Sequence, residues 1–404
     1  MKHVERHVER RGFAGPASPG ETPPDLYHVR CLVPVQPRNT GFVGGDVGVR
    51  RRRCVYPRAH IGGVLCAARG GNTRGGPGDT RAGRRVHGIG EDGYRSNMAP
   101  STTRDAPFGR MLTAMVTPLT ADGAVDYDGA ARLATYLVDE QRNEGLVVSG
   151  TTGESPTTSD TEKTRLLTAV IDAVGDRATI VAGVGTNDTA HSVELARAAE
   201  RVGAHGALLV TPYYNKPPQE GLSRHFTTIA DATGLPVLLY DIPGRTGTPI
   251  HTETLVKLGA HPRIVAVKDA KGDLFAGSWV MARSDLAFYS GDDALNLAWL
   301  SMGAAGFVSV VGHVVGADLH EMIDAYRAGA IATALATHRR LLPVVAAIMT
   351  HTQGAIAVKA ALGLLGQPGG SVRPPLVDAT PEFTAHLRED LMIGGVKVPE
   401  ATSQ

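Results

Sequence analysis

Cysteine is scarce in this chain: there are three among 404 residues. Cys31, Cys54 and Cys66 all fall within the first 97 positions, and none stands in the C-x-x-C spacing of a zinc site. Long apolar runs are missing as well. No stretch of about 18 consecutive apolar residues occurs, and the opening Met1-Lys2-His3-Val4-Glu5-Arg6 lacks the apolar centre of a secretion signal. Neither membrane spanning nor export is expected, and the expected compartment is the cytosol. Net charge is small, +1, but it hides two opposite parts. Residues 1–97 carry 17 Lys+Arg against 8 Asp+Glu, which leaves 24 against 32 for the rest.

The basic part reads as a tail. Runs such as Arg50-Arg51-Arg52-Arg53 and Gly75-Gly76-Pro77-Gly78 interrupt it, and its apolar residues keep no period of 2 or 3.6. So little core could not offset the entropy of ordering, and disorder over 1–97 is the expectation. An Arg-rich arm suggests nucleic acid, but no zinc finger or other nucleic-acid motif accompanies the charge, so no nucleic-acid partner is expected. Met98 opens the folded composition and reads as the natural start, with 1–97 an over-extended reading frame or a dispensable tail.

From about residue 110 short apolar runs alternate with amphipathic segments. Eight strands are expected, at Leu112–Val116, Gly145–Ser149, Thr179–Ala182, Gly206–Val210, Val237–Tyr240, Ile264–Lys268, Leu286–Tyr289 and Gly306–Val310. Helical stretches lie between them, among them Tyr127–Arg142, Thr161–Val174, Ala190–Val202, Gln219–Ala232, His251–Leu258, Ala294–Met302 and Gly316–Ala328. Strict strand–helix alternation in this number predicts the α/β class and a (β/α)8 TIM barrel over 98–328. A doubly wound open sheet is the alternative. It lacks support from a G-x-G-x-x-G turn, since Gly183-Val184-Gly185-Thr186-Asn187-Asp188 misses the last glycine. Beyond 329 strand signals stop, and Ile331–Met349, Ala355–Leu365 and Pro381–Met392 read as a three-helix extension over 329–404 with structural roles.

Chemistry in such a barrel belongs to the loops after the strands. Lys268 ends an apolar strand, Ile264-Val265-Ala266-Val267-Lys268, and Tyr240 ends another 28 positions upstream. Alternation places Lys268 with Ala266 and Ile264 toward the barrel mouth, with Val265 and Val267 meeting the helices. A lysine there is partly desolvated, which frees a neutral amine to attack a ketone. Gly150-Thr151-Thr152-Gly153-Glu154-Ser155 is either an anion-holding turn or the cap of the next helix, with Ser159 or Asp160 as N-cap. Arg245 sits on the loop after Tyr240 and suits a carboxylate. In Tyr213-Tyr214 at least one ring is free to leave the core. Asp292-Asp293 reads as a helix cap rather than a metal pair, and His320-Glu321 lacks the H-E-x-x-H form, so no metal or other cofactor is expected.

The phrases GTTGES, TPYYNKP, YDIPGRTG, VAVKDAKGD and SGDDALNL, in this order over roughly 108–395, resemble the dihydrodipicolinate synthase family. The wider pyruvate-aldolase superfamily shares the lysine, the tyrosine and a G-x-T-G-E turn; Thr151, the tyrosine pair and Arg245 separate this family from sugar-acid and 4-hydroxy-2-oxoglutarate aldolases. The resemblance implies a lyase that joins pyruvate to L-aspartate 4-semialdehyde in lysine and diaminopimelate biosynthesis. It implies an imine on Lys268, with Tyr240 as general acid/base and Thr151 and Tyr214 relaying protons, Tyr214 from the adjacent subunit of a homotetramer built as a dimer of dimers. Thr152 and the Val308 backbone would hold the pyruvate carboxylate, Arg245 the semialdehyde carboxylate, and Gly291 would lie at the same mouth. Feedback-inhibited members bind lysine at a subunit interface. Here Ser155, Asn187 and Tyr213 are retained, but Lys163 and His191 bring cations, so weak lysine inhibition is expected.

Overall fold

A computed structural model describes residues 106–400. The expectations for 1–97 and for a start at Met98 lie outside the described residues. Eight parallel strands close into one barrel: β1 Met111–Ala114, β2 Gly145–Val148, β3 Thr179–Gly183, β4 Gly206–Val210, β5 Val237–Asp241, β6 Ile264–Asp269, β7 Ala287–Ser290 and β8 Gly306–Ser309. β8 pairs back onto β1 through Leu112 and Val308, so no sheet edge is left. The closed order excludes the open-sheet alternative, and every expected strand is found within one or two residues of its bounds.

Burial on both faces is what uniformly apolar strands require. Inward side chains such as Leu112, Val147, Val181, Leu208, Leu238 and Val308 fill the barrel, while Leu146, Ile180, Leu209, Leu239 and Phe307 pack outward. Strict alternation fails in β6. Val237 pairs with Ile264 and Leu238 with Ala266, so Val265 is an extra residue in the ladder. Ile264 consequently joins Val267 in the outer core, whereas Val265 and Ala266 both belong to the inner one. The expected facing of Ile264 and Val265 is thus reversed, and that of Ala266 and Lys268 is kept.

The helices that follow the strands are α1 Tyr127–Thr135, α2 Asp160–Val174, α3 Thr189–Arg201, α4 Gln219–Asp231, the short α5 Pro243–Thr246, α6 Thr252–Gly259, α7 Leu274–Met281, α8 Asn296–Ser301 and α9 Gly312–Arg327. α1 stops earlier than expected, widening into a π turn at Tyr136–Glu140 before Arg142 adopts a φ of 54°. Ser159, not Asp160, caps α2: its hydroxyl accepts from Glu162 N while the Glu162 side chain takes the Ser159 N–H, a reciprocal box. α7 fills the place that strand–helix alternation requires, but its bounds are not marked in the sequence. Its sequence LFAGSWVM is apolar on all sides, so no helical period marks it, and Phe275 and Trp279 stay exposed.

Three further helices, α10 Ile331–Met349, α11 Gly354–Leu364 and α12 Pro381–Ile393, form the expected extension. α10 is, among the described residues, the one helix long and apolar enough to cross a membrane, with a mean hydropathy of 1.3 over 18 residues. Arg339 and Arg340 interrupt it, Arg340 donating to Asp318 and to Gly394 O, and Ala334, Leu341, Val344 and Ile348 are buried.

Candidate active site

Lys268 and Tyr240 are neighbours because β5 and β6 place them in register, both directed into the barrel. Lys268 is 3% exposed and Tyr240 4%, and the lysine Nζ lies 4.2 Å from the centroid of the tyrosine ring. Burial lowers the amine to about 8, helped by the Arg245 cation and opposed by Asp293. At pH 7 about one such amine in eleven is neutral, against roughly one in three thousand for an ordinary lysine. Burial acts oppositely on the phenol, which rises to about 12 although Arg245 and a hydrogen bond with Thr151 pull it back. The pair therefore offers a usable nucleophile beside a phenol that keeps its proton.

The turn after β2 carries Thr151 and Thr152, the latter buried. Two non-glycine residues with positive φ bracket it, Ser149 at 57° and Glu154 at 55°, each conformation costing about 1–3 kcal/mol. Surroundings hold the strain in place: Thr117 Oγ1 donates to Gly153 O at 2.7 Å, and Glu154 N to Thr151 O at 3.2 Å. Thr151, Tyr240 and Arg245 line one cavity of about 200 Å³ together with Tyr213, Ile242 and Thr246. Of the expected groups, Tyr240, Thr151 and Arg245 thus converge on the cavity, and Lys268 adjoins them behind the Tyr240 ring. Gly291 joins them, since a Cβ there would stand 2.8 Å from Lys268 Cγ and 3.0 Å from its Cε, so a side chain would push the lysine aside. Val308 is an inward, fully buried residue of β8.

Tyr214 is the exception. At φ 74° and 89% exposure it projects away from this cavity, while Tyr213 lines it. The acidic pair also needs correcting. Asp292 does cap the following turn, accepting from Ala294 N, but Asp293 is buried and caps nothing. It accepts from Ser309 Oγ at 2.5 Å, Asn296 Nδ2 at 2.9 Å, Val310 N at 2.8 Å and Val311 N at 3.0 Å, tying the β7 loop to the end of β8. Sequence reasoning missed this because an acidic pair before a helix has the signature of a cap.

Residues 107–393 match the model of the dihydrodipicolinate synthetase family. The chain belongs to that family. It is 66% identical over 301 residues to 4-hydroxy-tetrahydrodipicolinate synthase 2 of Streptomyces coelicolor, spanning 74% of this chain and 100% of the relative. The 4-hydroxy-tetrahydrodipicolinate synthase of Acidothermus cellulolyticus is 66% identical over 295 residues, 73% of this chain and 95% of its own. Among solved structures, the DHDPS from Cyanidioschyzon merolae with lysine bound is similar at 40% identity and a TM-score of 0.70, covering 72% of this chain and 99% of that one. Dihydrodipicolinate synthase DapA-2 of Bacillus anthracis gives 41% and 0.69, with 70% and 98% covered.

Against this family background, Asp160 at the start of α2 is already paired across to α3. His191 Nε2 lies 2.8 Å from Asp160 Oδ2, and Lys163 Nζ 3.7 Å from Asp160 Oδ1. Asn215 Nδ2 donates to Asn187 O at 2.9 Å nearby.

Proposed function

We propose that this dihydrodipicolinate synthetase family member is a lyase, a 4-hydroxy-tetrahydrodipicolinate synthase, that condenses pyruvate with L-aspartate 4-semialdehyde in lysine and diaminopimelate biosynthesis. The observation that carries the reading is the buried Lys268 amine stacked on Tyr240, with Arg245 on the same cavity. Neutral Lys268 attacks the ketone carbon of pyruvate, a C–N bond forms and water leaves, giving an imine. Loss of a methyl proton yields the enamine, whose carbon adds to the aldehyde while the new alkoxide takes a proton. The semialdehyde's own amine then attacks the imine carbon and displaces Lys268, closing the ring.

Tyr240 keeps its proton well past neutral pH, so it acts as donor to the departing hydroxyl and recovers that proton in the next step. Thr151, on the same cavity, is the first relay toward solvent. Thr152 and the Val308 backbone hold the pyruvate carboxylate, Gly291 leaves room at the mouth, and Arg245 takes the second carboxylate by two parallel hydrogen bonds. Tyr214, directed outward here, completes the relay in a neighbouring subunit, within a cytoplasmic homotetramer built as a dimer of dimers.

The test is a steady-state assay of pyruvate with aspartate semialdehyde against pyruvate with sugar aldehydes, run on the native enzyme and on Arg245→Leu. The substitution should lower kcat/KM for the semialdehyde by about 100-fold, since breaking a charge-paired contact removes 2–5 kcal/mol, and spare imine formation with pyruvate. Preference for a sugar aldehyde, or an unchanged Arg245→Leu, would contradict the assignment.

A further inference from the structure

The C-terminal extension reaches the active-site turn through one buried ion pair. α11 reads GAIAVKAALGL, and Lys359 is its only charge. That lysine is 4% exposed, and its Nζ donates to Glu154 Oε1 and to Ser371 O, both at 2.6 Å. The second Glu154 oxygen accepts from Arg373 N at 2.8 Å. Both carboxylate oxygens of Glu154 are therefore held from the extension. The Arg373 side chain adds Thr157 O at 2.7 Å, Gly123 O at 2.8 Å and the Glu162 carboxylate at 2.6 Å.

At its other end Glu154 is the left-handed residue that closes the Gly150–Glu154 turn. Its backbone N–H reaches back to Thr151 O, and Thr151 lines the same cavity as Tyr240 and holds down the pKa of that phenol. A tie made for stability alone had a simpler form available, because α11 is otherwise apolar and a buried ion pair often gains nothing over well-packed apolar groups. What the charges add is direction: two oxygens fixed at once orient the strained backbone.

We infer that Lys359 is a positioning residue for the condensation, acting through Glu154 on the orientation of Thr151 and Thr152. It rests on the roles proposed above for those threonines. The extension, expected to be structural, thereby shares in substrate handling.

Full-length Glu154→Gln, Lys359→Met and the neutral double variant Glu154→Gln/Lys359→Met test it. Circular dichroism and thermal unfolding report folding; steady-state kinetics and borohydride capture of Lys268 report function. The folded variants should lose about tenfold in kcat/KM for pyruvate, mostly through KM as Thr152 loosens its hold, with the misplacement far smaller than loss of the nucleophile. The alkaline limb of kcat should move to higher pH as Thr151 releases Tyr240, a shift that mere destabilisation does not produce. Capture of Lys268 at saturating pyruvate should persist. A folded variant with native kcat, pyruvate KM and pH limb would overturn the inference. So would failure of all three to fold at 25 °C, since the pair would then serve the fold alone. Absence of capture in the unsubstituted enzyme would instead refute the imine mechanism itself.

Discussion

Lys268→Met should abolish activity and yet stabilise the protein. Burial moves the amine from 10.5 to about 8, and at about 1.4 kcal/mol per unit this amounts to roughly 3 kcal/mol of opposition to folding. Below pH 8 the lysine is protonated in both the folded and the unfolded chain, so the whole opposition is present there. Between pH 8 and 10.5 the unfolded chain holds more protons than the folded one, stability rises with pH, and the opposition fades. Contact of the ammonium with the Tyr240 ring offsets about 1–2 kcal/mol of it. Methionine is unbranched, of similar length and free of charge, so it fills the same space. The expected net gain is about 1–2 kcal/mol at pH 7 and near zero at pH 10.5. Urea unfolding at one fixed protein concentration measures it, because association also shifts apparent stability. Equal or lower stability of Lys268→Met at pH 7 would refute the claim that the lysine is desolvated.

Tyr214→Phe and Lys268→Met, each inactive or nearly so alone, should restore about a quarter of native activity when co-expressed. In the proposed dimer half of the pairs are then mixed, and one of the two sites in each has neither lesion. No restoration would place Tyr214 outside a neighbour's site. L-Lysine should inhibit weakly, since Asp160 is already paired with His191 and Lys163 and leaves no free anion for an ammonium; half-inhibition below 1 mM in a steady-state assay, an affinity worth more than about 4 kcal/mol, would contradict this.

Much of this architecture is visible in the chain because each strand is a short apolar run closed by a turn, and eight such runs alternating with amphipathic segments have few other solutions. The same uniformity conceals detail. Ile264, Val265, Ala266 and Val267 are all apolar, so nothing in their order marks the extra residue at Val265, and facing is settled only by the neighbouring strand. The bounds of α7 escape notice for a related reason: an all-apolar helix has no stripe to follow. Lys268, Tyr240, Thr151 and Arg245 were legible because each ends a strand or follows one. Asp293 was misread as a cap because the groups that need it, Val310 N and Val311 N, lie 17 and 18 positions on. Glu154 and Lys359 stand 205 positions apart, and the one local signal was a solitary charge in an apolar helix.

Borohydride reduction in the presence of pyruvate, followed by peptide mass mapping, tests the central claim most directly. The account predicts a single reduced pyruvate adduct on Lys268, absent without pyruvate and absent in Lys268→Met. An unmodified Lys268, or an adduct carried by another lysine, would contradict it.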